Sequence, residues 1–351
     1  RDRDVTGVQT CALPIYGDDA LIVGNTCGNT ILDGGDGDDD FYAISTVGYI
    51  EFYGGNGNDV INAGIGDQRL YGGSGDDIMF AGSGNQYLYG DSGNDNMFAS
   101  DGVQLLDGGD DDDEIHADGT TGNSTFIGGA GNDYIMGGAG TQTIDGGTGN
   151  DELWAGYGLQ NIIGGEGNDT IHSYDNYNKH TIDGGDGDDL IYVSNGYING
   201  GNGFDTIHLY SSGTVNGGSG NDTITLYSAG MVDGGDGDDI IISSGGFGGK
   251  VDGGNGNDSI TAYAATDQSL AICGGSDDDV IELYGDGFSV EGGDGNDVIR
   301  ECWASHDSNI LEGGAGDDII FTFSGSSMDG GTGNDTLNGS IGEDAYIFNL
   351  G

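Results

Sequence analysis

The chain has 351 residues, of which 78 are Gly and only 34% are hydrophobic, too few for two or three ordinary globular cores. Its 61 acidic and 6 basic residues give a formal net charge of −55, which excludes nucleic acid and anionic membranes as electrostatic partners. No apolar stretch approaches the roughly 20 residues that a membrane-spanning helix needs, so the sequence predicts no such helix. A chain this acidic either stays solvated or is neutralised by cations.

The first sixteen residues differ from everything that follows. Residues 1–16 contain the single Pro and two of the six basic residues, and they show no trace of the later repeat. They resemble a translated sequencing adapter, and their two Asp residues and lack of an apolar core argue against a signal peptide. We expect 1–16 to be a disordered, non-native leader, and 17–351 to be one repeat domain from a larger protein.

From residue 17 onward a nonapeptide of the form G-G-x-G-x-D-x-U-x repeats, where U is apolar. Its starts are 16 to 21 residues apart, most often 18. The sixth residue is Asp, and the eighth residue and the residue two before the start are apolar, in all seventeen copies. The copies start at Gly34, Gly54, Gly72, Gly90, Gly108, Gly128, Gly146, Gly164, Gly184, Gly200, Gly217, Gly234, Gly253, Gly274, Gly292, Gly313 and Gly330.

A period of 18 residues is twice nine, which predicts two turns and two strands in each repeat. Turns one period apart then stack on the same edge of a flattened coil, and each coil buries its apolar positions against its neighbours. Alternation in segments such as 223–227 is typical of short strands. The fold predicted is an all-β parallel β-roll (β-solenoid) of about 17–18 coils, with about 18 residues and two short strands per coil.

A second series of turns lies midway between the Asp turns from Gly54 to Gly164. These turns have Gln where the first series has Asp, so the opposite edge of the coil is predicted to be neutral. They are Ala63–Gln68, Ala81–Gln86, Ala99–Gln104, Gly137–Gln142 and Ala155–Gln160.

Over residues 17–351 this repeat resembles the RTX (repeats-in-toxin), haemolysin-type calcium-binding domain. The resemblance implies Ca²⁺ between stacked turns, roughly one ion per gap, held by the sixth-position carboxylate and by backbone carbonyls, and little or no calcium on the Gln edge. One Gly of the motif is lost at Asp91, Asp111 and Asp277, where the sites depart from the family pattern. The implied ligands are Asp19, Asp39, Asp59, Asp77, Asp95, Asp113, Asp133, Asp151, Asp169, Asp189, Asp205, Asp222, Asp239, Asp258, Asp279, Asp297, Asp318 and Asp335.

Electrostatics independently favours a role for calcium in folding. Two carboxylates about 5 Å apart repel by roughly 3 kcal/mol at an effective dielectric constant near 20. Calcium accepts six to eight oxygen ligands in flexible geometry, and at ten times its dissociation constant each site adds about 1.4 kcal/mol of stability. We therefore expect calcium to determine whether the chain folds.

By resemblance, the chain is a calcium-binding repeat domain of a secreted Gram-negative exoprotein. It is exported by type I secretion machinery and folds on Ca²⁺ outside the cell. One alternative is a calcium-rigidified adhesin or ice-binding extender. Another is the non-catalytic C-terminal module of a secreted hydrolase or epimerase. Zinc-protease, nucleophile-elbow and phosphate-loop motifs are all absent, so no enzyme activity is predicted for these residues.

Aromatic residues recur at outward strand positions and allow two interpretations. Stacked neighbours that stabilise an exposed sheet are the simpler one. The other is a stripe that binds a glycan or a cell-surface ligand. The residues are Phe80, Phe98, Trp154, Tyr192, Tyr174, Tyr210, Tyr227, Tyr263 and Tyr284.

Overall fold

The structure, a computed structural model, consists of strands joined by turns. Its contacts divide the chain into two compact units, Arg1–Thr181 and Ile182–Gly351, which are described separately below as unit 1 and unit 2. The described residues contain no helix long and apolar enough to cross a membrane. The structure describes residues 3–5, 15–24, 30–44, 49–117, 120–244, 249–264, 269–304, 309–323, 325–340 and 343–347.

Along most of unit 1, strands of seven residues alternate with strands of three to five residues. The boundary between the units falls within β20 (His180–Asp186). The preceding strands are β1 (Arg3–Val5), β2 (Ile15–Tyr16), β3 (Ala20–Gly24), β4 (Thr30–Asp36), β5 (Asp40–Ile44), β6 (Ile50–Asn56), β7 (Val60–Asn62), β8 (Gln68–Ser74), β9 (Ile78–Phe80), β10 (Gln86–Ser92), β11 (Asn96–Phe98), β12 (Gln104–Asp110), β13 (Glu114–His116), β14 (Ser124–Ala130), β15 (Tyr134–Met136), β16 (Gln142–Thr148), β17 (Glu152–Trp154), β18 (Gln160–Glu166) and β19 (Thr170–Ser173).

Within unit 1 the strands form two parallel stacks. Between β3 and β19, the seven-residue strands pair with one another and the short strands pair with one another, never a long strand with a short one. Leu70 lies opposite Leu88, because an 18-residue period places equal positions of the repeat side by side. The parallel β-solenoid predicted from the sequence is confirmed.

Unit 2 has the same two stacks, except near its start. There, β21 (Leu190–Asn202) and β22 (Thr206–Ser219) are single strands of 13 and 14 residues. In these two coils the two short strands predicted per coil are joined into one continuous strand. The other strands are β23 (Thr223–Leu226), β24 (Gly230–Asp236), β25 (Ile240–Ser244), β26 (Gly249–Asn255), β27 (Ser259–Tyr263), β28 (Leu270–Ser276), β29 (Val280–Tyr284), β30 (Phe288–Asp294), β31 (Val298–Trp303), β32 (Ile310–Ala315), β33 (Ile319–Phe321), β34 (Ser327–Thr332), β35 (Thr336–Asn338) and β36 (Ala345–Ile347).

The core of each unit is a thin layer between its two stacks. Both apolar positions of the repeat point into it, as Val215 and Ile224 show with no exposed surface. Every residue two before a start is buried, and so is every eighth-position residue except the half-buried Leu337. Burying a Leu or Ile side chain contributes about 1.5–3 kcal/mol, so a narrow core repeated in every coil supports the fold.

Two short strands lie in the part of the leader that the structure describes. β1 pairs in parallel with β3, and β2 pairs in parallel with β4. A foreign origin of residues 1–16, and a single roll over 17–351, stay predictions.

Candidate metal sites

The sixth-position Asp residues line one edge of each unit, here called the Asp edge. From Asp39 onward each follows a strand of six or more residues and the Gly-rich turn, so the repeat brings one carboxylate to this edge in every coil. All are buried to at least 98% except Asp19 and Asp335, which are partly exposed. The column in unit 1 contains Asp39, Asp59, Asp77, Asp95, Asp113, Asp133, Asp151 and Asp169, and that in unit 2 contains Asp189, Asp205, Asp222, Asp239, Asp258, Asp279, Asp297 and Asp318.

One oxygen of each carboxylate is held by the neighbouring coil. The backbone N–H of Asp59 donates to Oδ1 of Asp77 at 2.7 Å, and that of Asp77 donates to Oδ1 of Asp95 at the same distance. The bond recurs along both columns at 2.7–3.1 Å. It fixes the orientation of the carboxylate before any ligand arrives.

The fifth position of the motif adds a bond in the opposite direction. The backbone N–H of Asp76 donates to Oδ1 of Asn58, and that of Asn94 donates to Oδ1 of Asp76, both at 3.0 Å. Neighbouring turns are thus linked by two side-chain bonds to backbone, one in each direction, except where Phe204 occupies the fifth position and offers no acceptor. This role was not predicted from the sequence, although Asp or Asn occupies the fifth position in all but one copy.

The second oxygen of the sixth-position carboxylate has no such partner. A charged oxygen without a partner is costly inside a protein, and its recurrence indicates an absent ligand. Among the described residues no hydrogen bond reaches Oδ2 of Asp39, Asp59, Asp77, Asp95, Asp113, Asp133, Asp151, Asp205, Asp222, Asp239, Asp258, Asp279, Asp297 and Asp318.

The first Gly of the motif lies directly against Oδ2 of the sixth-position Asp. A methyl group on Gly72 would overlap Oδ2 of Asp77 and would lie 2.8 Å from the carbonyl oxygen of Gly90 in the next coil. The same crowding recurs at Gly128 against Asp133 and at Gly313 against Asp318. The carboxylate oxygen and a backbone carbonyl oxygen therefore lie close together where only Gly fits.

In the absence of a cation, burial raises the pKa of most of these carboxylates to between about 6 and about 8. Burial, with smaller contributions from neighbouring carboxylates, raises the pKa of Asp77, Asp113 and Asp279 to about 8. The hydrogen bond from the preceding backbone N–H lowers each of these pKa values but does not offset burial. Near neutral pH the column therefore requires positive charge, from protons or from a metal ion.

These donors fit a hard cation that accepts backbone oxygen. The described residues contain no group of three or more His, Cys, Asp or Glu side chains placed to hold a metal. A bound ion would therefore take carboxylate Oδ2 atoms together with carbonyl oxygens of the Gly-rich turns. Calcium accepts such all-oxygen ligand sets, whereas a structural zinc site needs nitrogen or sulfur ligands.

The three motifs that lack a Gly keep the shape of the turn. Asp91, Asp111 and Asp277 have φ angles of 73°, 78° and 79°, in the left-handed region that Gly occupies in the other copies. The carboxylates that follow them remain buried in their columns. The departures from the motif are therefore strained versions of the same turn.

Replacing Asp111 by Gly is expected to raise the free energy of unfolding by about 0.5–1 kcal/mol, because Gly adopts this conformation without strain. Asp110→Gly is the matched control, since it removes the same charge from a residue that is not left-handed, and it should lower stability slightly. Urea denaturation in calcium measures both. An equal or lower stability of Asp111→Gly would contradict the strain.

The outward aromatic residues stack on each other. Phe80 and Phe98 have ring centroids 4.8 Å apart, as do Tyr53 and Tyr71, with interplanar angles of 12° and 4°. These distances are typical of favourable ring pairs. The ring faces on which a sugar would stack are thus covered by neighbouring rings, which favours the ladder interpretation. Binding of a glycan or cell-surface ligand stays a prediction.

The chain was compared with known proteins. The family model for the RTX calcium-binding nonapeptide repeat (4 copies) matches residues 53–88, 89–119, 107–141, 118–153, 136–171, 181–197, 289–300, 305–326 and 327–351, more than half of the chain. No curated protein matches. A solved structure of a hyperactive, Ca²⁺-dependent, beta-helical antifreeze protein from an Antarctic bacterium is 21% identical, with a TM-score of 0.32. That similarity covers 90% of this chain and 84% of the other, and it is too low to carry a conclusion about function.

Proposed function

The chain belongs to the RTX family of calcium-binding nonapeptide repeats, and from this premise we propose that it is a repeat domain that folds when calcium binds outside the cell. The observation that carries the proposal is the set of fourteen buried sixth-position carboxylates, seven in each unit, whose Oδ2 atoms accept no hydrogen bond among the described residues. The proposed ligands are the eighteen sixth-position Asp residues from Asp19 to Asp335. The proposed number of ions is roughly one per gap between stacked Asp turns.

Each part of the turn has its own role in this proposal. The backbone N–H of the preceding coil holds Oδ1, so that Oδ2 is oriented before an ion arrives. Gly at the first position makes room for Oδ2, which lies where a Cβ atom would be, and a carbonyl oxygen of the next coil lies near the same point. Burial keeps water away from the carboxylate. Bound calcium supplies the positive charge that offsets both burial and repulsion between neighbouring coils.

The same electrostatics describes a folding switch. Without a cation, closing the coils brings a carboxylate from every coil into a buried column, so the open chain is favoured. In cytosol, where calcium is scarce, the chain stays extended and suited to passage through type I secretion machinery. Outside the cell, millimolar calcium matches the affinity of extracellular modules, and the coils close. We propose this role for a secreted protein of a Gram-negative bacterium, without catalysis by these residues.

A calcium titration of the ion-free chain near pH 8 tests the proposal. Far-UV circular dichroism should change from an unfolded spectrum to a β spectrum as calcium is added, and equilibrium dialysis should find several ions per chain. Magnesium is the control, because it prefers octahedral geometry and keeps its waters, and it should neither fold the chain nor displace calcium. Identical spectra with calcium and with chelator would contradict the switch. Absence of bound calcium would contradict the metal sites themselves.

A further inference from the structure

The edge of unit 1 opposite the Asp edge, here called the Gln edge, closes by a different contact. The side-chain amide nitrogen of Gln86 donates to the carbonyl oxygens of Gly64 at 3.0 Å and Gly66 at 3.1 Å, both in the preceding turn. The Gln86 side chain has no exposed surface. One amide group thus joins two backbone oxygens of the neighbouring coil.

The contact recurs along the Gln edge. Amide nitrogens donate to the preceding turn from Gln104 to Gly82 O at 3.3 Å and from Gln160 to Gly138 O at 2.8 Å. In the turn that precedes the turn of Gln160, the amide nitrogen of Gln142 donates to the hydroxyl oxygen of Thr120 at 2.8 Å. In four of the five turns of this series the Gln amide nitrogen therefore donates to an oxygen of the coil before it.

The amide oxygen accepts a backbone N–H of its own turn in three of the five Gln turns. The backbone N–H of Ser100 donates to Oε1 of Gln104 and that of Gly138 to Oε1 of Gln142, both at 2.9 Å, and that of Gly64 donates to Oε1 of Gln68 at 3.2 Å. Oε1 of Gln86 and Oε1 of Gln160 accept no hydrogen bond among the described residues, but an amide oxygen carries no net charge, unlike an ionised carboxylate. A neutral amide therefore donates to the neighbouring turn and can also accept within its own. The carboxylate of the Asp edge accepts only, and its Oδ2 faces carbonyl oxygen, so that edge needs a cation between the coils.

The residue at the first position of the turn also differs between the two edges, together with the residue at the sixth position. The Asp-edge turns always start with Gly, and a methyl group on Gly146 would overlap Oδ2 of Asp151 and lie 2.5 Å from Gly164 O. Four of the five Gln turns start with Ala, and only the turn at Gly137 starts with Gly. Gln is one methylene longer than Asp, so its amide nitrogen can reach oxygens of the neighbouring turn.

We infer that the residues at positions one and six together decide whether a turn requires an ion. A turn with Gly at position one and Asp at position six has a carboxylate oxygen without a hydrogen-bond partner, and it needs calcium. A turn with Ala at position one and Gln at position six is joined to the neighbouring coil by the amide, and it needs no ion. Calcium thus acts on one edge of unit 1, while the opposite edge keeps its register from neutral hydrogen bonds. This inference rests on the proposed function only in that the Asp edge binds calcium.

The number of ions taken up on folding tests the inference in the full chain. That number is the slope of the unfolding free energy against the logarithm of the calcium concentration, by mass action. In Gln86→Met, which removes the amide and keeps the length, stability should fall by the same amount at every calcium concentration and the slope should not change. In Asp77→Asn, whose carboxylate adjoins two gaps, the slope should fall by about one to two ions.

A variant designed to gain a calcium site on the Gln edge tests the inference in the opposite direction. The triple variant Gln142→Asp, Ala155→Gly, Gln160→Asp changes two paired turns into G-G-A-G-T-D and G-G-Y-G-L-D. Its slope should rise by about one ion and its stability in low calcium should fall. Gln142→Asp with Gln160→Asp, keeping Ala155, is the control and should lose stability without gaining an ion.

The outcomes separate this inference from the proposed function. A lower slope in Gln86→Met would overturn the inference, because Gln would then belong to a calcium site. An unchanged slope in the triple variant would overturn it as well, provided that circular dichroism shows the variant folded. If Asp77→Asn leaves the slope unchanged, the failure lies with the calcium sites of the Asp edge.

Discussion

In the absence of calcium, the chain is expected to gain folded structure as the pH is lowered from about 8 to about 5. The reason is the protonation of the Asp edge. Burial raises the pKa of Asp95, Asp133 and Asp258 to about 7, and that of Asp77 and Asp113 to about 8. The ordinary pKa of these groups is 3.8. Protons can therefore partly replace the cation.

The direction of the effect follows from proton linkage. A carboxyl group with a higher pKa in the folded state binds more protons there than in the unfolded state at every pH between the two values. The unfolding free energy then falls as the pH rises through that range. Stability from these groups is present below pH 3.8 and is lost progressively as the pH rises to about 8. Calcium reverses this dependence, since it binds the ionised carboxylate and competes with protons.

Far-UV circular dichroism of the ion-free chain at the two pH values measures this effect. We expect an unfolded spectrum at pH 8 and a β spectrum at pH 5, and a β spectrum at both when calcium is saturating. The reciprocal measurement is calcium affinity, which should weaken on acidification. Loss of structure on acidification of the ion-free chain would contradict a column of carboxylates with raised pKa values.

Gly234→Ala in β24 is expected to be strongly destabilising and to reduce calcium binding. A Cβ atom there would overlap Oδ2 of Asp239 and the carbonyl oxygen of Gly253, and would lie 3.1 Å from Cγ of Asp239. Overpacking costs about 1–3 kcal/mol, and displacement of the carboxylate removes calcium stabilisation as well. We expect a loss of about 3 kcal/mol or more in saturating calcium, together with fewer bound ions.

The matched control is Gly230→Ala in the same strand. A Cβ atom on Gly230 would lie 3.1 Å from Cδ2 of Leu209, which can move, and 3.4 Å from Gly213 O. Neither Gly230 nor Gly234 has a left-handed φ, so the two variants differ in what the methyl group meets and not in backbone strain. Urea denaturation should show a change under about 1 kcal/mol for Gly230→Ala, and the ion count should be unchanged. Equal effects of the two variants would remove the steric basis of the site.

Much of the fold could be predicted because the repeat places equal residues opposite each other. An 18-residue period determines that Leu70 meets Leu88 and that Asp77 follows Asp59 on the same edge. Coil length alone did not predict where the pattern changes, since β21 and β22 are single long strands in coils of 16 and 17 residues, whereas the next coil, also of 17 residues, has two separate strands. Period and apolar spacing constrain a solenoid strongly, because each coil contacts mainly its neighbours.

The chemistry within the turns could not be predicted in the same way. In the sequence, Asp and Gln are both simply polar residues at the sixth position. In the structure, Oδ1 of Asp95 accepts a hydrogen bond from a backbone N–H of the preceding coil, whereas the amide nitrogen of Gln86 donates to two carbonyl oxygens of the preceding coil. The direction of a hydrogen bond depends on the rotamer and on atoms supplied by another coil, and a one-letter pattern contains neither.

The sequence by itself determined the coil, its period, its core positions and the edge on which the carboxylates gather, because those follow from spacing along the chain. Only the tertiary structure decided that one oxygen of each carboxylate is held by backbone, and that the other faces carbonyl oxygen over a Gly with no room for a methyl group. These contacts join atoms about 18 residues apart, and the stacking of neighbouring coils brings them together.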